Sequence, residues 1–180
     1  MIVVGLDPSL RATGWVAIEM DTRVVISVGV IVTQPGRARR LKSSDDTRRG
    51  LQIYCELHRL FDRIRPGLVV QEAISGSRSS RGASASALAQ QACADAAVNW
   101  TGHPLFILPT EAKLAVAGTR YATKMLVQER VRELIGDLPL NGIKKSLHSH
   151  VWDAAALVLA AWNWPELVAI RCASNREDAE

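Results

Sequence analysis

Apolar and polar positions change their spacing several times along the chain, and each change marks an element. Ile2 to Leu6 is an apolar run that stops at Asp7 and turns through Pro8 into a polar loop ahead of Gly14 and Trp15. A short continuous run of this kind predicts a strand covered on both faces. GWVAIEM and RVVISVGVIV, joined by Asp21-Thr22, read as a hairpin of two β-rich segments. Ile53, Leu57, Leu60, Phe61 and Ile64 then recur at helical spacing and stop before Pro66. LVVQE at 68–72 is a strand, the alanine-rich run 83–100 a helix, and PLFILP at 104–109 a short strand. Helices over 121–136 and 149–162 follow, and the terminal NREDAE is expected to fray.

The order β-β-β-α-β-α-β-α-α predicts a mixed α/β sheet. A hairpin makes the first three strands antiparallel. The helix-linked fourth and fifth strands run parallel to the first through right-handed crossovers. If the first and fourth strands are neighbours, their carboxyl ends coincide, and those ends carry Asp7 and Glu72.

Composition adds limits. A chain of 180 residues, 48% hydrophobic and 22% charged, is one ordinary globular domain long. Cys55, Cys93 and Cys172 form no CxxC pair, which argues against a disulfide framework or a zinc site and for a reducing cytoplasm. No run approaches a membrane span or a leader peptide. The net charge of +4 is unevenly spread. Between 34 and 50 stand Arg37, Arg39, Arg40, Lys42, Arg48 and Arg49 against Asp45 and Asp46. A second loop, 75–82, carries Arg78 and Arg81 among glycines and serines. Such clusters suit polyanion binding, and charge alone is equally consistent with solvated loops.

Two carboxylates at one sheet edge repel unless a cation or a proton sits between them. A third acid favours the cation: in HSHVWDAAALVLAAW, Asp153 and His150 share the apolar stripe of a helix. Helix capping by Ser149 or Asp153 is the alternative. Lys124 is placed by spacing on the inward side of its helix, near the start, where the dipole disfavours a cation unless an anion is at hand. Three carboxylates with one imidazole suit Mg²⁺ or Mn²⁺ better than zinc. Such a cluster in basic surroundings fits phosphodiester hydrolysis, in which two metal ions clamp the attacking and leaving oxygens.

These segments together resemble the RuvC family of Holliday junction resolvases, over about Met1 to Trp162. GLDPSLRATGW is similar to the family's first-strand motif and LVVQE to its second, which implies Asp7 and Glu72 as metal ligands. Pro109, Lys113, Gly118, Ala122, Lys124 and Val127 resemble the lysine-containing segment, so Lys124 corresponds to the active-site lysine. HSHVWDAAALVLA resembles the last motif in the variant where histidine replaces the first of two acids, giving His150, as ligand or water activator, and Asp153. The resemblance implies an RNase H-like fold, a mixed five-stranded sheet with helices on both faces, spanning 1–164, with 165–180 a partly disordered tail.

It further implies a homodimer that cuts four-way or other branched DNA with two Mg²⁺ or Mn²⁺ ions per site, packing through the alanine-rich helix. Branch-migration proteins are conceivable partners. Arg37, Arg39, Arg40, Lys42, Arg78, Arg81 and Lys113 are the expected DNA contacts. Ser75 stands where many members carry an aromatic that stacks on bases, so the arginines nearby are expected to hold phosphates instead. Alternatives are a less selective nuclease for flaps, forks or RNA–DNA hybrids, an actin-like phosphotransferase sharing the opening motif, and a catalytically silent DNA-binding scaffold.

Overall fold

The computed structural model describes residues 1–36, 41–74, 80–162, 164, 165, 167 and 168. Its centre is a five-stranded sheet of order β3-β2-β1-β4-β5. The strands are β1 (Ile2–Asp7), β2 (Ala12–Glu19), β3 (Val25–Val32), β4 (Leu68–Glu72) and β5 (Leu105–Ile107). β1 pairs antiparallel with β2 and β2 with β3, whereas β1–β4 and β4–β5 are parallel. The mixed sheet expected from the order of elements is therefore present.

The faces are covered by separate groups of helices. On one side α1 (Lys42–Ile64) and α2 (Ser80–Thr101) close over Val4, Leu6, Ala17 and Val69, with Ile53, Leu57, Phe61, Ala89 and Cys93 in the layer. On the other side α5 (His148–Ala161) lies against Val3, Val16, Ile18 and Val70, and α3 (Pro109–Ala117) and α4 (Lys124–Ile135) pack on α5. Leu167 is fully buried in this second layer. Successive side chains of a strand point to opposite faces, so a sheet buried on both sides reads as a continuous apolar run rather than as alternation. That is the pattern of Ile2 to Leu6.

Three segments differ from the sequence expectation. Residues 109–117 are the helix α3, not the end of a strand and a loop. Pro109 takes the first helical position, Glu111 Oε2 accepts from the Leu108 amide at 3.0 Å, and Gly118 ends the helix at φ 74°. The helix α1 begins at Lys42, ahead of its first apolar periodic residue. There Asp45 and Asp46 pair with Arg48 and Arg49 one turn on. Lys124, finally, is not on a buried stripe: its side chain is 65% exposed at the start of α4, whose buried residues are Val127 and Val131.

Candidate active site

β1 and β4 are in parallel register with Leu6 beside Gln71, so the next residues on each strand, Asp7 and Glu72, end side by side. Gln90 of α2 fixes the end of β4 by donating from Nε2 to the Glu72 carbonyl at 2.6 Å. On the antiparallel side Asp7 lies opposite Gly14. A Cβ on Gly14 would stand 2.3 Å from the His150 carbonyl oxygen, and one on Gly5 would stand 2.3 Å from that of Ala154. Real Cβ atoms do not approach so closely, so two glycines on adjacent strands let α5 settle onto the sheet. Their absent side chains bring His150 and Asp153 to the acids.

His150 Nδ1 lies 2.5 Å from Asp7 Oδ2. A carboxylate only accepts, so Nδ1 carries the proton and donates it. The bond to Asp7 raises the imidazole pKa, against the opposing effect of burial. Asp153 is the sixth residue of α5 and caps nothing; no side chain caps that helix. Its Oδ2 instead accepts from Lys124 Nζ at 2.6 Å. Thr123 holds Lys124 in place, as its hydroxyl caps α4 by accepting from the Leu126 amide at 3.2 Å.

Glu72 is pushed up to about 8, first by burial and then by the charge of Asp7 and a shared hydrogen bond with it. Asp153 is also raised. Burial and the charge of Asp7 outweigh the lowering effect of Lys124, although the ion pair alone would predict the reverse. Burial opposes the charged form of Lys124, but its bond to Asp153 and the surrounding acids prevail and raise it.

All of these groups hold protons more tightly folded than unfolded. Between the ordinary carboxylate range and about pH 8 the native state therefore binds more protons than the unfolded chain, and stability must fall as pH rises through that window. Glu19, held at about 2 chiefly by the terminal ammonium, acts in the opposite sense only at acid pH. Thermal unfolding in chelator from about pH 5 to 9 should show a steadily falling Tm. A Tm that rose with pH would contradict the crowding of these carboxylates.

Three acids and one imidazole, with one carboxyl kept protonated by burial and then by its neighbours, are the donor set a hard divalent cation takes up. Among the described residues no three or more His, Cys, Asp or Glu side chains converge closely enough to hold a metal ion as they stand. Lys124 and His150 instead engage Asp153 and Asp7. Beside Asp153 a cleft of about 300 Å³ is lined by Glu72, Lys113, Lys124 and Asp153.

The structure thus brings Asp7, Glu72, Lys124, His150 and Asp153 together, with Lys113 on the cleft wall. Lys42 is exposed at the start of α1. Arg37, Arg39, Arg40, Ser75 and Arg78 lie outside the described residues, as does the side chain of Arg81. Arg48 and Arg49 are structural. Arg48 binds Asp45 and the Gln34 carbonyl, and Arg49 binds Thr33 Oγ1 at 2.8 Å and the Leu10 carbonyl at 2.9 Å. Gly5 and Gly14 escaped the sequence reading, since nothing local to either residue shows which helix crosses it.

Residues 3–161 match the family model of the crossover junction endodeoxyribonuclease RuvC. The RuvC protein of Dictyoglomus thermophilum is 30% identical over 164 residues, covering 89% of this chain and 95% of its own. That of Chloroflexus aggregans is 30% identical over 148 residues, 76% of this chain and 80% of its own. Thermus thermophilus RuvC in complex with a Holliday junction substrate superposes with a TM-score of 0.72 at 24% identity, over 89% of this chain and 92% of that one. The yeast mitochondrial Holliday junction resolvase Ydc2 superposes with a TM-score of 0.59 at 11% identity, over 93% and 81%.

Proposed function

The chain belongs to the RuvC family of crossover junction endodeoxyribonucleases, and we propose that it resolves four-way DNA junctions by metal-dependent phosphodiester hydrolysis at the Asp7 cluster. The observation that carries this reading is the meeting of Asp7, Glu72 and Asp153, from three separate elements, at one end of the sheet.

Asp7, Glu72 and Asp153 are the residues that would hold the metal, Mg²⁺ or Mn²⁺, with room in the donor set for two ions. Bound there, a divalent cation supplies positive charge to the phosphoryl oxygens and lowers the pKa of an attacking water. Glu72 would have to give up its proton to such a cation, so loading would strengthen with pH. His150 is held by Asp7 in one tautomer, with Nε2 left to accept a proton or serve as a ligand. Lys124 holds Asp153 in place and carries positive charge at the cleft where a scissile phosphate would sit. Lys113, on the same wall, is suited to a neighbouring phosphate.

A four-way junction presents two equivalent strands, and a two-fold homodimer would place two such sites symmetrically. The small residues of α2 suit that contact. The cytoplasm, where DNA is met, is the expected setting. Branch-migration proteins are compatible partners.

The test is a panel of synthetic substrates at equal concentration: a four-way junction, a flap, a replication fork, an RNA–DNA hybrid and linear duplex. Cleavage with Mg²⁺ is expected for the junction, with paired symmetric cuts, and not for the linear duplex. Equal cutting of every branched substrate would favour a broader nuclease, and no cutting of any would refute the assignment.

A further inference from the structure

A second groove opens at the same end of the sheet, toward the β3 edge, whereas the cleft of Lys113 and Lys124 lies toward β5. Its volume is about 920 Å³. Arg11, after β1, and Thr33 and Gln34, after β3, form one wall with Arg49 of α1; Lys144 and Ser146, just before α5, form the other. Arg11 follows Asp7 by four residues and Ser146 precedes His150 by four, so the chain segments on the groove's two walls lead directly from Asp7 and to His150.

Its charge is one-sided. Three cations line the groove, and no Asp or Glu is among its lining residues. Arg49 is committed to Thr33, Leu10 and Asp46 and is only 11% exposed, which makes it part of the wall. Arg11 and Lys144 are exposed, and neither forms an ion pair among the described residues. Unpaired cations facing one groove repel each other until an anion enters. The basic groove and the cleft lined by Glu72, Lys113, Lys124 and Asp153 lie on opposite sides of β1.

We propose that the groove of Arg11 and Lys144 is a second phosphate track, gripping the backbone of the DNA that continues from the scissile phosphate, on the side of the acids away from Lys113 and Lys124. The assignment rests on the nuclease reading above. It names a binding role for two residues outside the acidic cluster. Phosphate contacts fix register and carry no base information, so the track would hold the strand in line over the acids whatever its sequence.

Each phosphate contact steepens the dependence of log affinity on log salt by about 0.9. The full-length double variant Arg11→Ala/Lys144→Ala should bind a synthetic four-way junction with a salt slope shallower by about 2. Its loss should be largest at low salt and should enter KM rather than kcat. The charge-retaining Arg11→Lys/Lys144→Arg should restore most of the slope. Arg59→Ala/Arg63→Ala removes the same charge from α1 and should leave the slope near that of the wild type.

An unchanged slope in the Arg11/Lys144 variant, with wild-type protein cutting normally, overturns the track. So does an equal loss in the Arg59/Arg63 variant, which would make net charge the cause. A loss confined to kcat would place the residues in the chemistry instead and would also overturn it. If wild-type protein neither binds nor cuts the junction, the nuclease reading itself fails, and the track with it.

Discussion

Asp7→Asn should lower junction cleavage by more than roughly a hundredfold while leaving junction binding near the wild-type level. Loss even of an outer partner of a metal ligand costs about 10- to 100-fold, and Asp7 is proposed as a ligand itself. The substitution keeps side-chain volume and removes charge, so folding should survive. Its effects spread along the contacts of Asp7. His150 loses the charged partner that raises its pKa, and Glu72 loses the charge that, after burial, most hinders its ionisation. An NMR titration of His150 should therefore show a lower midpoint in the variant. Binding depends on cations elsewhere, and one fewer negative charge beside the phosphates does not weaken it. Cleavage within tenfold of wild type would remove Asp7 from the mechanism.

The second large effect is steric. Gly14→Ala adds one methyl group where the nearest atoms are the carbonyl oxygen of His150 at 2.3 Å, its carbon at 2.4 Å and its Cβ at 2.6 Å. None can swing aside, because all are backbone or fixed directly to it. Either the first turns of α5 lift or the β1–β2 pair opens. Overpacking of this kind costs about 1–3 kcal/mol, and a displacement of about 1 Å at reacting groups can cost about a hundredfold in rate.

Gly29→Ala separates the two consequences. It too makes a close contact, 2.6 Å, but with the Trp15 indole and away from the acids. Calorimetry should show lower Tm for both variants, and activity per folded molecule should collapse only for Gly14→Ala. Equal specific activity in the two would show that α5 is not positioned through Gly14.

The parts of the fold that could be read in sequence were those whose signal is local. An unbroken apolar strand, a hairpin and the Ile53–Ile64 period state their own burial. The start of α1 did not, because residues 42–49 are polar and stand on i,i+3 ion pairs rather than on an apolar stripe. Gly50, next in the helix, has Leu88 of α2 at its surface. The helix α3 was hidden because Pro109 ends an apolar run and also opens a helix, and its nine residues bury only Ala112 and Val116.

The site divides in the same way. Asp7 and Glu72 could be found as acids ending strands, and Asp153 as an acid on an apolar helix. Lys124 was anomalous at a helix start for the right reason, an anion nearby, yet its spacing suggested burial and the side chain reaches Asp153 along the surface. The glycines gave no sign of their part, which depends on a helix far along the chain. Arg11 is a lone basic residue in its loop and Lys144 the first of the pair Lys144-Lys145, and only the fold makes Arg11 and Lys144 neighbours of one groove.

The hydrogen bond between His150 and Asp7 joins residues 143 positions apart. During synthesis, which proceeds from the N-terminus, β1 to β4 can pair and be covered by α1 and α2 while His150 and Asp153 are still inside the ribosome. A nascent chain at that stage presents Asp7 and Glu72 but lacks the other half of the cluster. The proposed site is therefore completed only when α5 docks, as the last step of assembling the domain.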